Sequence, residues 1–140
     1  MKYQYVAIIK KDDDGYNVSF PDFPDAFTYG ENLEEALFNA QECLSLVLED
    51  LLAEDKEPPL GSDCSDKDHY LITPDLDIQI ALQIYVLKKE KGYTTADLAR
   101  SMNTSWASFN RIEKPGSNPT VKQLNKVAAA LGRRVQITFL

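Results

Sequence analysis

Histidine occurs once and cysteine twice in these 140 residues, too few ligands at workable spacing for a zinc site. Cys43 falls on an apolar helical face and Cys64 in a polar loop. A disulfide between such unlike sites is not expected, and a reducing cytoplasm is the default location. No stretch nears the roughly 20 consecutive apolar residues that span a bilayer. The first 15 residues hold only a short apolar run with no small-residue cleavage site after it, so no secretory signal is expected. Basic side chains are scarce early, and acidic ones are scarce late. Residues 1–75 hold 5 Lys or Arg against 18 Asp or Glu, a net of −13; residues 76–140 hold 10 against 4, a net of +6. Such segregation suits two partners, a cationic one for the first half and a polyanion for the second. Apolar side chains are not scarce: at 44% they match an ordinary globular chain.

In the acidic half, residues 3–10 form a β-rich run followed by a turn at Asp12-Asp13-Asp14-Gly15. Residues 16–20 alternate, with Tyr16, Val18 and Phe20 on one face, and Asp-rich residues ending in Gly between two such runs signal a hairpin. Pro21 and Pro24 are expected to break the sheet, because each lacks a ladder donor and restricts its predecessor. A short strand at 26–29 follows. Asn32 and Glu35 read as a capping box opening a long helix whose Leu33, Ala36, Leu37, Ala40, Cys43, Leu44, Val47, Leu48 and Leu51 form one stripe. Residues 56–68 read as a loop and 70–73 as a last strand. The expected fold is α+β, a small antiparallel sheet with one long helix across it.

The run Gly15-Tyr16-x-Val18-x-Phe20-Pro21-Asp22-Phe23-Pro24-Asp25-Ala26, then Thr28-x-Gly30-Glu31 and Glu34-Glu35-Ala36, resembles the N-terminal domain of HicB antitoxins over about residues 3–73. The resemblance implies a partial ribonuclease-H-like fold that binds HicA, a small basic toxin that cleaves mRNA, covering its RNA-binding face and catalytic histidine. Nuclease chemistry in this chain itself is disfavoured. It needs carboxylates converging on metal ions from the sheet core, and the first strand contains no acid. His69 reads as a solvent-facing or capping residue. The candidate toxin contacts are the exposed acidic turn Asp12, Asp13 and Asp14 and the loop residues Asp22, Phe23 and Asp25.

In the basic half, residues 78–91 form a first helix ending at Gly92, and Thr94 or Thr95 caps a second running to Met102. Asn103 suits the left-handed turn that follows. Ser105 caps a third helix, 106–114, and Thr120 with Gln123 makes a capping box for a fourth that stops at Gly132. Leu98, Ala99, Met102, Phe109 and Ile112 fill the buried positions of a helix-turn-helix. The pattern Leu98-Ala99…Ser105…Arg111-Ile112-Glu113…Asn118-Pro119…Leu124…Ala128-x-Ala130-Leu131-Gly132 resembles the phage-repressor (Xre/Cro) class over about residues 76–132. In that geometry the third helix enters the major groove. Ser105, Trp106, Ala107, Ser108, Asn110 and Arg111 are then the base-reading candidates, and Thr95, Lys114 and Lys122 the backbone contacts. Trp106 departs from the class, whose residue there is polar; its indole either packs on a thymine methyl or sugar or is tucked into the domain.

Residues 133–140 alternate apolar and polar and are expected to form a strand. With nothing nearby to pair it, a two-fold partner would complete the ladder through Val135, Ile137 and Phe139. The whole reads as two domains, 1–75 and 76–140, hinged at 74–78. The expected protein is an antitoxin and autorepressor, not an enzyme, with no cofactor. Its expected partners are a HicA-like toxin, operator DNA and a second copy of itself. The alternative is a stand-alone transcription regulator whose N-terminal domain senses a small molecule or another protein.

Overall fold

Alternating side chains give the second strand a buried and an open face, while the first is apolar throughout its start, with Tyr5, Val6 and Ala7 all buried. β1 (Tyr5–Lys11) and β2 (Tyr16–Phe20) form an antiparallel hairpin in which Ile9 opposes Val18. In the computed structural model, which describes residues 3–139, these pair with β3 (Phe23–Gly30) and β4 (His69–Ile72) in the order β3-β2-β1-β4. The sheet is antiparallel throughout. Pro21 ends β2 as expected, in a turn with Asp22, whereas Pro24 does not leave the sheet. β3 starts at Phe23 and contains Pro24, because it is an edge strand and its ladder jumps from Phe20↔Phe23 to Ser19↔Phe27. A proline without a donor is tolerated at such a bulged edge.

α1 (Leu33–Ala53) supplies the other layer through buried Ala36, Ala40, Leu44 and Leu48. Asn32 Oδ1 accepts the Glu35 N–H at 2.8 Å. The returning half of the box differs from expectation: Glu35 Oε1 takes the N–H of Glu31, one residue further back, at 3.4 Å. Ser45 is buried beside the leucines, where its hydroxyl accepts the Asp75 N–H at 2.9 Å.

Four more helices follow: α2 (Leu76–Lys91), α3 (Thr95–Ser101), α4 (Trp106–Glu113) and α5 (Val121–Ala130). Thr94 with Asp97 and Thr120 with Gln123 form complete capping boxes. The Asp97 carboxyl is held below the usual range, first by the N–H of Thr94 and then by its hydroxyl. Ile84, Leu98, Ala99, Phe109, Val127 and Leu131 make one core, with Met102 and Ile112 packed against it. Gly132, at φ 71°, stops α5 in the left-handed conformation that glycine adopts without strain.

The chain divides into two compact units, one ending at Gln79 and the other beginning at Ile80. The division therefore falls inside α2. Residues 74–78 belong to the first unit, with Pro74 and Ile78 buried. Residues 133–139 carry no strand. The expected alternation is present, but a strand needs a ladder partner, and Ile137 and Phe139 stand 60% and 95% exposed. No helix among the described residues is long and apolar enough to cross a membrane.

Candidate functional site

The α3–α4 pair is set by local chemistry. Asn103, at φ 54°, makes the tight turn between the helices, and Ser105 Oγ caps α4 by accepting the Ser108 N–H at 3.1 Å. Its hydroxyl also meets Ser108 Oγ at 2.9 Å. Phe109, fully buried, anchors one side of α4. Ala107 and Arg111, four apart, lie across α4 from Phe109, and Trp106 and Asn110, also four apart, lie on the flank between them and the core. Trp106 is 56% exposed, which removes the tucked-in alternative. Ala107, Arg111, Lys114 and Lys122 are exposed, and Ser108 and Asn110 half-buried.

Thr95 stands apart from this set. Its hydroxyl accepts from Lys88 Nζ at 3.1 Å and donates to Glu113 Oε1 at 2.6 Å. Lys88 and Glu113 also pair directly at 2.7 Å, with only 15% and 14% of their side chains exposed. The Thr95 hydroxyl is thus consumed inside the unit and is unavailable to a phosphate. This three-helix clasp, from α2 to α3 to α4, was missed by sequence reasoning. Its signal would have been a lysine and a glutamate on faces otherwise given to the core.

The acidic candidates divide similarly. Asp13, Asp14 and Asp25 are exposed. Asp12 turns inward on its own loop: its carboxylate accepts the N–H groups of Asp14 and Gly15 and the Asn17 amide. Those bonds, the Asp14 N–H foremost, lower its pKa. Asp22 clamps the 56–68 loop by accepting from Ser62 N–H and Oγ at 2.9 and 2.6 Å. Phe23 is a correction: its ring is 8% exposed and stands edge-on to Tyr5 at 5.0 Å. It holds the core and offers no free contact surface. Burial, then the Asp22 charge, pushes the Tyr5 phenol up to about 12; that hydroxyl donates to the Pro59 carbonyl at 2.8 Å.

His69 opens β4 instead of preceding it. Nδ1 accepts the Ser65 N–H at 3.4 Å and Nε2 lies 3.6 Å from Asp66, so it serves the loop. Among the described residues, no group of three or more His, Cys, Asp or Glu is arranged to hold a metal ion.

Residues 3–84 match the family model described as the HicB-like antitoxin of bacterial toxin–antitoxin systems. The chain is 28% identical to antitoxin HicB of Escherichia coli K12 over the full length of both. It is 46% identical over 55 residues to an uncharacterised 14.9 kDa protein of Haemophilus phage HP1, an alignment covering 39% of this chain and 41% of that protein. A solved chain titled as a toxin–antitoxin complex from Streptococcus pneumoniae aligns with a TM-score of 0.49 and 24% identity, over 69% of this chain and 92% of that one. With 82 of its 140 residues inside the family model, the chain belongs to the HicB-like antitoxins, a family of toxin partners and not of enzymes.

Proposed function

We propose that this antitoxin neutralises a HicA-like, mRNA-cleaving toxin by direct binding and represses its own operon. Toxin binding is assigned to residues 1–75, as a partial ribonuclease-H-like domain. DNA binding is assigned to residues 76–140, as an Xre/Cro-type helix-turn-helix made by α3 and α4. Full-length identity to an antitoxin named HicB supports the first half, as does the net −13 of residues 1–75 facing a basic toxin.

The observation that carries the second half is the open face of α4, where Trp106, Ala107 and Arg111 stand clear of the core with Lys114 beyond. Ser105, Ser108 and Asn110 border that face, and Lys122 adds a charge from α5. A helix presented this way reads base edges in the major groove, while the lysines hold phosphates. Dimerisation through Val135, Ile137 and Phe139 would pair two such helices on a palindrome and cover an exposed apolar tail.

One paired experiment tests the DNA half. Arg111→Ala is expected to weaken binding to DNA upstream of the chain's own reading frame about 10- to 100-fold, with mass by light scattering unchanged. Removing residues 133–140 is expected to halve that mass. Wild-type DNA affinity in a folded Arg111→Ala protein removes α4 as the reading helix, and an unchanged mass removes the tail as the dimer contact.

A further inference from the structure

The face of the sheet away from α1 carries side chains that none of the roles above uses. Directly opposed residues in an antiparallel pair share a face. Phe27, Ser19, Ile8 and His69 therefore form a row across all four strands, with Tyr29, Asn17 and Lys10 in the next register. His69 is tied into the 56–68 loop, and Val6, opposite Leu71, is fully buried, so neither is part of the open surface. A sheet face left to water is normally polar. Here β2 obeys that rule and the edge strands β3 and β4 do not: Phe27 is 73% exposed, Leu71 50% and Tyr29 39%. Single exposed apolar residues are ordinary, but several on one face mark a contact surface.

The rim of the face is acidic. Tyr29 donates to the Asp14 carbonyl, and Asp12, Asp14, Glu31 and Glu35 all lie close enough to act on its phenol. Asp66 stands beside His69, and Asp25 is exposed in the β3 bulge.

We propose that this open face is the docking surface for the cationic partner, with Phe27 as its apolar anchor. The partner chemistry is that of a basic protein whose own apolar patch is ringed by Lys or Arg, which here means the HicA-like toxin. The inference thus rests on the function proposed above and moves the contact centre from the acidic loops onto the sheet. A second copy of this chain fits poorly, since two-fold pairing would bring the same acidic rims together.

The test uses the full chain and the purified basic protein encoded beside it, titrated by calorimetry. Phe27→Lys is expected to weaken binding about thirtyfold or more, the scale of a lost anchor, without changing Tm, because the ring is mostly in water. Leu71→Lys, at the other edge of the face, is expected to weaken it too, and serves if the first variant misfolds. Phe38→Ala, 61% exposed on α1, is expected to bind as wild type. Unchanged binding by folded Phe27→Lys and Leu71→Lys proteins, or an equal loss with Phe38→Ala, overturns the docking surface and leaves the toxin reading standing. No binding by the wild-type chain refutes that reading, and the docking surface with it.

Discussion

Glu113→Ala is expected to destabilise the C-terminal unit by about 2–3 kcal/mol, somewhat under the cost of breaking a fully buried ion pair because a little solvent reaches this one. The change strands the Lys88 ammonium, 15% exposed, and removes the acceptor of the Thr95 hydroxyl. Three helices lose a common tie at once. For a unit of this size the melting midpoint should fall by about 10 °C or more. The single tryptophan reports the right region, since Trp106 opens α4. Replacing both charges, with Lys88→Met and Glu113→Leu together, is expected to recover most of the loss, because apolar side chains of similar size carry no desolvation penalty. A Glu113→Ala midpoint within 2 °C of wild type, on the order of half a kcal/mol, would show that the clasp contributes nothing measurable.

The second large effect belongs to the acidic unit. Gly30→Ala is expected to cost about 3 kcal/mol, at the upper end of what overpacking does. Gly30 closes β3 just before the Asn32 cap. A Cβ there would lie 2.5 Å from Ala36 Cα and 2.9 Å from its Cβ, and closer still to the Ala36 backbone nitrogen. The obstacle is helix backbone, not the tip of a flexible side chain, so either β3 or the start of α1 must move. The entropic gain from replacing glycine, about 0.4–1 kcal/mol, is too small to offset that. Urea unfolding followed by tyrosine near-ultraviolet signals measures the loss, and a midpoint equal to wild type would mean the close approach is absent in solution.

Features governed by near neighbours were legible in the sequence. The β1–β2 hairpin, the Thr120–Gln123 box, the Asn103 turn and the α1 stripe each depend on residues a few positions apart. Features governed by distant partners were not. Phe23 looked like part of an exposed loop until Tyr5 was found against its ring, and Asp22 looked free until Ser62, 40 residues on, was found to bind it. Thr95 fits a phosphate contact by position, yet Lys88 and Glu113 claim its hydroxyl. Pro24 obeyed the rule that proline leaves a sheet interior, but the sequence does not say which strand is the edge. The docking face was hidden for the same reason, since Phe27, Ser19 and Ile8 meet only through register.

The central claim is that this chain neutralises a toxin by binding it. The most direct measurement is co-expression of the intact chain with the small basic protein encoded beside it. Growth arrest by that protein alone, relieved by this chain in a complex that co-purifies, is the predicted result. Arrest that persists while the chain accumulates in soluble form, with no complex recovered, would contradict it.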